Sequence, residues 1–378
     1  MYKILVCGFT DNTVHGGLES AIMNYYRRFN LKNVQLDFIC NSNNPIEYND
    51  EIKKLGGKVF YTAKRGNNPI RYYIEMKKLF KKIAHNYDCL WFNTNDLSNI
   101  FSIKLAKKYG IKRIIVHSHN SQLFIPGIKG KVYKKVHYLH RSKIDNYATD
   151  FWACSHVAAE WMFPKNIQSQ VKIVRNAISL QKTQFNEEKR TKIRKKLGLD
   201  SSFVIGHVGR LNFQKNQKFI VDLFPKIKEK IPNAKVVLVG DGEDKDKIID
   251  QINQNNLNKD ILVVGQKKDM DAWYSAFDML LFPSLFEGLS VALLEAQANG
   301  LPILASDRVS PNEISINSNI LFLSLNAPTG EWVNKIRGIY TNQKRLSDKV
   351  ISHNFKEKKY NIDIEAERLE KEFVKSNF

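Results

Sequence analysis

The stretch that decides the fold runs from residue 282 to residue 307 and reads FPSLFEGLSVALLEAQANGLPILASD. It begins at the end of one apolar run, MLLF, and finishes with a second, PILA. The segment between them has a helical period, with Val291, Leu294 and Ala298 on one face. A strand, a helix and a further strand in this order are the repeating unit of a parallel sheet covered by helices.

The same alternation covers both halves of the chain and predicts an α/β fold with two Rossmann-like, doubly wound domains that face each other across a cleft. We predict a first domain over 1–178, a second over 179–350 and a closing helix over 351–378 that packs back on the first. The polar stretch 179–202 is the predicted linker. The predicted strands are 3–8, 34–40, 58–62, 88–93, 112–117, 150–154, 171–174, 203–208, 235–240, 261–264, 278–282, 302–305 and 320–323.

Composition is that of a globular protein, with 43% hydrophobic and 26% charged residues among 378. No window approaches the roughly 18 apolar residues of a membrane span, and the first apolar run is too short for a signal peptide. We therefore expect a cytoplasmic protein. The four cysteines match no zinc or redox spacing, and we expect them to be buried thiols.

The net charge of +21 is unevenly distributed. Residues 1–185 contain 29 basic and 12 acidic residues (+17), whereas residues 186–378 contain 30 and 26 (+4). This asymmetry predicts a polyanionic partner, either nucleic acid or an anionic membrane. The Lys-rich helical runs 71–84 and 129–143 fit lipid headgroups, and no nucleic-acid-reading module is visible. A compositional bias towards lysine is the plainer alternative.

Three loops that follow predicted strands contain the candidate site residues. Glu287 and Glu295 lie about two helical turns apart around a helix start, where amides and carboxylates suit a ligand with hydroxyls and phosphates. In HVGRLNFQKN (207–216), Arg210 and Lys215 provide the cations that a diphosphate requires. The glycine pair of HGGLES, Gly16 and Gly17, precedes a helix and permits close approach of the backbone to a ligand.

The segment from Glu287 to Glu295 resembles the Glu-x7-Glu signature of the family-4 retaining glycosyltransferases of the GT-B fold. The likeness extends from GGLES at 16–20 to the closing helix, and is greatest to bacterial enzymes of capsular and exopolysaccharide synthesis. It implies that Glu295 holds the ribose hydroxyls of a nucleotide sugar. Glu287 would face the donor sugar, and Arg210 and Lys215 would contact its diphosphate.

The resemblance also implies roles for several smaller groups. The amides of Gly288, Leu289 and Ser290 would lie near sugar hydroxyls and phosphate, and the Gly16–Gly17 loop would touch the diphosphate. His119 of HSHN (117–120) would face the donor sugar, whereas His117 fits a core position. The segment VRNAIS departs from the family pattern, because Ala177 and Ser179 stand where glycine and aspartate are usual.

The predicted function is therefore retaining transfer of a hexose or N-acetylhexosamine from a nucleotide diphosphate sugar, with UDP expected, to a lipid-diphosphate-linked glycan at the inner membrane face. No cofactor or metal is expected, because the pairs Asp244/Asp246 and Asp269/Asp271 lie at predicted helix starts, where aspartate caps a helix. Alanine at Glu287 or Lys215 should nearly abolish transfer and leave the fold intact. A sugar-nucleotide 2-epimerase of the same fold, a nucleic-acid-binding protein and an inactive scaffold are the alternatives.

Overall fold

The computed structural model describes residues 1–10, 17–123, 125, 127–342 and 344–375. The chain divides into two units, one formed by Met1–Ala177 with Ile362–Phe378 and the other by Ile178–Asn361. Each unit contains a parallel β-sheet whose strands alternate with helices along the chain, so the predicted α/β fold class is confirmed.

The first unit is built on a sheet with the strand order β3-β2-β1-β4-β5-β6-β7 within the described residues. The strands run parallel, and the order reverses between β1 and β4, which makes this edge the switch point of a doubly wound sheet. Its strands are β1 Tyr2–Thr10, β2 Val34–Asn41, β3 Val59–Thr62, β4 Cys89–Thr94, β5 Arg113–Ser118, β6 Asp150–Ala153 and β7 Lys172–Ile173. Its helices are α1 Gly17–Tyr26, α2 Asn49–Lys54, α3 Pro69–Ile83, α4 Phe101–Lys108, α5 Gly127–Arg141, α6 His156–Met162 and, at the end of the chain, α15 Ile362–Val374.

The second unit repeats the pattern with the order β10-β9-β8-β11-β12-β13. Its reversal lies between β8 and β11, so the loops that follow these two strands meet at one edge of the sheet. Its strands are β8 Phe203–Val208, β9 Ala234–Val239, β10 Ile261–Gly265, β11 Met279–Phe282, β12 Ile303–Ser306 and β13 Ile320–Leu323. Its helices are α7 Glu187–Leu197, α8 Gln217–Lys230, α9 Lys245–Gln254, α10 Met270–Ala276, α11 Val291–Ala298, α12 Pro311–Ile314, α13 Thr329–Asn342 and α14 Asp348–Glu357.

Two predicted boundaries differ from those of the structure. The stretch 179–202 is not only a linker, because it contains α7, which packs against α10 within the second unit. The second unit extends to residue 361 rather than 350, since α14 packs against α11. Sequence periodicity identifies such helices but does not indicate which sheet each one covers.

The closing helix α15 belongs to the first unit and is anchored at its C-terminal end. Phe373 is buried among the rings of Phe29, Trp91 and Trp152, at centroid distances of 6.0, 5.2 and 5.2 Å. The guanidinium of Arg113 donates to two carbonyl oxygens in the last turn of the helix, at 3.0 and 3.1 Å. Cationic donors at a helix C-terminus satisfy carbonyls that have no partner within the helix.

The four cysteines are buried, as expected, and none forms a disulfide. Burial raises the pKa of the Cys7 thiol to about 12, so this group is uncharged at neutral pH. Over the described part of the chain, no helix is both long enough and apolar enough to cross a bilayer.

Replacing Phe373 by alanine should destabilise the first unit. The substitution removes a fully buried ring from an aromatic cluster, and such truncations cost about 3–5 kcal/mol. Urea denaturation monitored by tryptophan fluorescence would measure the loss, because two tryptophans contact this ring. Val374→Ala is the matched control, since its side chain is 39% exposed on the same helix. Equal effects of the two substitutions would contradict the proposed anchoring.

Candidate functional site

The loops that follow β8 and β11 are joined by hydrogen bonds between residues 214–216 and 283–286. The amide of Leu285 donates to the carbonyl oxygen of Gln214 at 2.8 Å, and the Gln214 side chain donates to the Phe286 carbonyl at 3.0 Å. The side chain of Asn216 donates to the Pro283 carbonyl at 3.1 Å. Together these bonds fix the two loops as one structure at the carboxyl edge of the sheet.

An ion pair between Lys215 and Glu287 lies at the centre of these joined loops. The Lys215 Nζ is 2.6 Å from Glu287 Oε1, and the two side chains are only 15% and 8% exposed. The ammonium also lies 4.9 Å from the centre of the Phe282 ring, within the range of a cation–π interaction. The lysine stem passes close to Gly209, where a Cβ would stand 3.2 Å from it. The structure therefore brings together two residues that were predicted separately.

A buried histidine supports the loop that carries Lys215. His207 donates from Nδ1 to the Leu281 carbonyl at 2.9 Å, and its Nε2 accepts from the Gln217 side chain at 3.1 Å. The same Gln217 amide donates to the carbonyl of Arg210 at 2.9 Å. Burial, and to a smaller extent the nearby Lys215 charge, lowers the pKa of His207 to about 4, so the ring is neutral. This chain of bonds links β11 to the start of the loop.

Arg210 lies at the exposed side of the same loop and pairs with Glu243 at 2.9 Å. Glu243 follows a glycine turn that packs directly on the loop backbone. A Cβ at Gly240 would lie 1.9 Å from the Gly209 carbonyl oxygen, and one at Gly242 would lie 2.3 Å from that of Leu211. Both positions therefore require glycine so that the two backbones can meet.

Glu295 lies on α11, and its carboxylate has a buried partner. The hydroxyl of Tyr274, on α10, donates to Glu295 Oε2 at 3.0 Å. Burial raises the pKa of Glu295 to about 7, although the hydrogen bond from Tyr274 acts in the opposite direction. This carboxyl group therefore titrates near neutral pH.

Glu287 and Glu295 lie on either side of the start of α11, as predicted. α11 begins at Val291, with Ser290 as its N-cap, so Glu287 lies in the preceding loop. The two carboxylates have different partners, Lys215 and Tyr274. Gly288, Leu289 and Ser290 form the buried entry to the helix, where they were predicted to lie.

The predicted site residues of the first unit lie at the ends of its strands. Gly17 is the first residue of α1, and Gly16 lies outside the described residues. His119 follows β5, and its Nε2 donates to the Asn93 side chain at 2.9 Å. Burial lowers the pKa of His119 to about 3, so the imidazole is neutral. Its Nδ1 is buried, and nothing in the described part of the chain hydrogen-bonds to it.

His117 takes the core position that was favoured for it. Its ring is buried and stacks on Trp91, whose indole N–H donates to His117 Nδ1 at 3.2 Å. His137 and His140 of α5 both hydrogen-bond to the backbone of Leu97.

The two aspartate pairs lie at helix starts, as predicted, but Asp244, Asp269 and Asp271 form ion pairs with lysines. Asp244 and Asp269 are N-cap residues without a side-chain capping bond. The Lys189 ammonium lies between Asp269 and Asp271, at 3.2 and 2.7 Å. Among the described residues, no three or more His, Cys, Asp or Glu side chains are grouped as metal ligands would be.

Sequence reasoning missed the residues that hold the site together, namely Gln214, Asn216, Gln217, His207 and Tyr274. One signal was available, because Asn216 has a positive φ of 56° and asparagine is among the few residues that accept this conformation. The others have ordinary positions in a strand, loop or helix, and their roles depend on partners elsewhere in the chain.

Comparison with known proteins identifies the family. Residues 189–358 match the profile of the family described as Glycosyl transferases group 1. EpsF of Bacillus subtilis, named as a glycosyltransferase, is 30% identical over 324 residues, which cover 85% of this chain and 84% of EpsF. The chain belongs to this family. It is therefore a group 1 glycosyltransferase.

A second relative and a solved structure complete the comparison. The UDP-Gal:alpha-D-GlcNAc-diphosphoundecaprenol alpha-1,3-galactosyltransferase of Escherichia coli is 29% identical over 249 residues, covering 56% of this glycosyltransferase and 62% of the relative. The crystal structure of HepE from Anabaena with UDP and glucose has a TM-score of 0.80 at 15% identity, covering 99% of this chain and 100% of HepE. The structural similarity to HepE shows the fold of this chain, which has two Rossmann-like domains of the GT-B type.

Removing either partner of the Lys215–Glu287 pair should destabilise the second unit of the glycosyltransferase. Lys215→Ala or Glu287→Ala removes the opposite charge from beside a largely buried charged side chain, which costs about 3 kcal/mol. On the sequence alone, both variants are expected to leave the fold intact, whereas this cost predicts a measurable loss of stability. The double substitution should cost clearly less than the sum, as measured in a urea-denaturation double-mutant cycle.

The exposed pair Lys218–Asp222 in the same unit is the matched control, with side chains 72% and 53% exposed. Each of its alanine variants should change the free energy of unfolding by less than about 0.5 kcal/mol. Additive costs at Lys215 and Glu287 would show that the two side chains do not stabilise each other.

Proposed function

We propose that this protein is a metal-independent, retaining glycosyltransferase that transfers a hexose or N-acetylhexosamine from a UDP-sugar to a lipid-diphosphate-linked glycan. The reaction would serve capsular or exopolysaccharide synthesis at the inner face of the plasma membrane. The observation that carries the proposal is the buried Lys215–Glu287 pair in two joined loops at the sheet's switch point. Ligands of open α/β sheets bind at this edge.

The donor is recognised in this proposal by groups of the second unit. Lys215 and Arg210 supply positive charge for the diphosphate, together with the amides of Gly288, Leu289 and Ser290 at the start of α11. Glu295 accepts hydrogen bonds from the ribose hydroxyls. Arg210 is already paired with Glu243 at an exposed position, so a diphosphate would compete with that carboxylate for the guanidinium.

The proposed chemistry is a front-face substitution. The bond between the sugar and the phosphate breaks, and the departing phosphate accepts the proton of the attacking hydroxyl while Lys215 and Arg210 stabilise its charge. Glu287 is 2.6 Å from an ammonium, which lowers its nucleophilicity and supports a role in orienting and stabilising the sugar. The buried Nδ1 of neutral His119 can accept a hydrogen bond from a donor-sugar hydroxyl.

The donor and acceptor classes come from the named relative and from the family resemblance. The Escherichia coli relative is named for transfer from UDP-Gal to a GlcNAc carried by diphosphoundecaprenol. An acceptor of this kind is held by its lipid in a membrane, so a transferase must reach that surface. Metal independence is supported by Lys189, whose ammonium lies between the carboxylates of Asp269 and Asp271 where a cation would otherwise bind.

Helix α5 supplies a surface suited to an anionic membrane. Ile128, Val132 and Leu139 are 81%, 53% and 58% exposed, and they lie on one helical face with the exposed Lys131 and Lys135. Gly130 and His137 are the buried residues of this helix, and these three apolar side chains do not pack in the core. Apolar side chains between lysines can enter the headgroup region while the ammonium groups bind anionic lipids.

Calorimetry with UDP-, GDP- and ADP-sugars should show binding of a UDP-sugar. Glu295→Gln should weaken it at least about tenfold, because a charged hydrogen-bond acceptor is lost. Glu229→Gln, at the distant end of α8, should bind as the wild type does. Binding of only a GDP- or ADP-sugar would overturn the UDP assignment, and no binding would overturn the donor site.

The same preparation tests the chemistry with a synthetic acceptor, N-acetylglucosamine diphosphate bearing a long alkyl chain. Transfer should continue in excess EDTA and give a product with the donor's anomeric configuration by proton NMR. Glu287→Gln, which keeps a hydrogen bond to Lys215, should nearly abolish transfer but retain donor binding. Inversion would overturn the retaining assignment, and epimerised nucleotide sugar without transfer would favour an epimerase.

Vesicle sedimentation should show that the enzyme binds phosphatidylglycerol-containing bilayers and not pure phosphatidylcholine. Replacing Lys131 and Lys135 by alanine should weaken binding about 30-fold, since each lysine contributes about 1 kcal/mol near the surface. Val132→Glu and Leu139→Glu should weaken it as well.

Val350→Glu is the control for charge at an exposed apolar position, because Val350 is 43% exposed on α14. If Val132→Glu and Val350→Glu behave alike, α5 is not the docking surface. Equal binding to neutral and anionic vesicles would overturn the electrostatic part of the proposal.

A further inference from the structure

The side chain of Tyr274 is completely buried on α10, yet its hydroxyl reaches the proposed ribose-binding carboxylate. It donates to Glu295 Oε2 at 3.0 Å, whereas the Glu295 side chain itself is partly exposed. A buried donor bonded to one oxygen of a partly exposed carboxylate restrains the rotation of that carboxylate. It also leaves the second oxygen, Oε1, for other donors.

The helix that carries Tyr274 is held unusually firmly at its C-terminal end. The guanidinium of Arg345 donates to the carbonyl oxygens of Tyr274, Ser275 and Phe277, at 2.9, 3.1 and 2.5 Å. Arg190, from α7, donates to the carbonyls of Ser275, Ala276 and Phe277. Charged donors at successive terminal carbonyls leave this helix end little freedom to shift.

Nothing in the proposed chemistry requires a tyrosine at this position. A phenylalanine would fill the same space, because the ring is fully buried and lies edge-on to Phe277 at 6.4 Å. The hydroxyl is costly to bury unless it is hydrogen-bonded, and Glu295 is the partner that it has here. The role of the hydroxyl is therefore to be sought at Glu295.

We propose that Tyr274 is a positioning residue for the nucleotide sugar, which orients the Glu295 carboxylate so that Oε1 can accept a hydrogen bond from a ribose hydroxyl. The inference rests on the proposed function, because it deepens the donor site described there. Tyr274 itself does not touch the donor. It acts through Glu295, and the clamped end of α10 keeps its hydroxyl in place.

This arrangement makes donor binding depend on pH. Glu295 has a pKa near 7, raised by burial, and accepts ribose hydrogen bonds best as a carboxylate. Donor affinity should therefore rise as pH increases through about 7. The hydrogen bond from Tyr274 lowers this pKa, so removing it should move the transition to higher pH. Tyr274 is the titratable group that faces Glu295 from α10, and its own pKa is raised well above the usual value, so it stays protonated over this range.

Tyr274→Phe is the test, with kcat and the donor KM measured for a UDP-sugar from about pH 5.5 to 8.5. A UDP-sugar is used because its diphosphate is a diester, whereas the terminal phosphate of UDP would itself titrate near pH 6. At pH 7 the KM should rise about tenfold, and kcat at saturating donor should stay within about twofold. The midpoint of the KM profile should lie at higher pH than in the wild type.

Two controls separate positioning from a general structural effect. Tyr340→Phe, at a half-exposed tyrosine of α13, should leave the profile unchanged. In a Glu295→Gln background, Tyr274→Phe should add little further loss, because the orienting bond has lost its charged acceptor. The Glu295 carboxyl titration can also be followed without any ligand by carbon-13 NMR, with Glu295→Gln assigning the resonance.

The outcomes distinguish the two proposals. If the wild type binds a nucleotide sugar but the Tyr274→Phe midpoint is unshifted, or if kcat falls with KM unchanged, the positioning role is overturned and the donor site stands. If the wild type binds no nucleotide sugar, the donor site and the positioning role both fail. An alkaline shift of the Glu295 resonance together with a raised KM supports the positioning role.

Discussion

The second unit of this glycosyltransferase depends on the pairing of Lys215 with Glu287. Each charge would be costly at its degree of burial without the other, so the two loops that carry them must approach closely. The hydrogen bonds of Gln214 and Asn216 maintain that approach from the backbone. The site is thus preorganised, since its charges are placed by bonds that exist before any ligand arrives.

The buried histidine and the arginines near the site stabilise it in different ways. His207 is kept uncharged by burial and serves as a hydrogen-bonding link beneath Lys215, where a second positive charge would be unfavourable. Arg190 and Arg345 instead donate hydrogen bonds to carbonyls at the end of α10. Burial lowers the pKa of Arg345 to about 9, which still leaves it protonated at neutral pH.

The first unit shows how similar amphipathic sequences take different roles. α3 buries Tyr72, Met76 and Phe80 against the unit's core, as its period predicts. α5 has comparable apolar content but leaves Ile128, Val132 and Leu139 exposed beside lysines. The aromatic cluster around Phe373 shows the reverse case, in which a distant part of the chain completes a core that the first 177 residues leave unfinished.

The sequence alone determined the two α/β units, the positions of the strands, the loops that contain Arg210, Lys215 and Glu287, and the helix that carries Glu295. This was possible because the spacing of apolar residues that marks a strand or a helix can be seen within a short segment of chain. In this architecture, ligand-binding loops also follow the strands directly. Only the tertiary structure decided that Lys215 pairs with Glu287 and that Tyr274 bonds to Glu295. These facts depend on residues 72 and 21 positions apart, whose contact is set by how strands β8 and β11 and helices α10 and α11 pack. The boundary between the units also depended on the tertiary structure. The sequence indicates that α7, α14 and α15 are helical, but the unit to which each belongs is set by the helices and strands that it packs against.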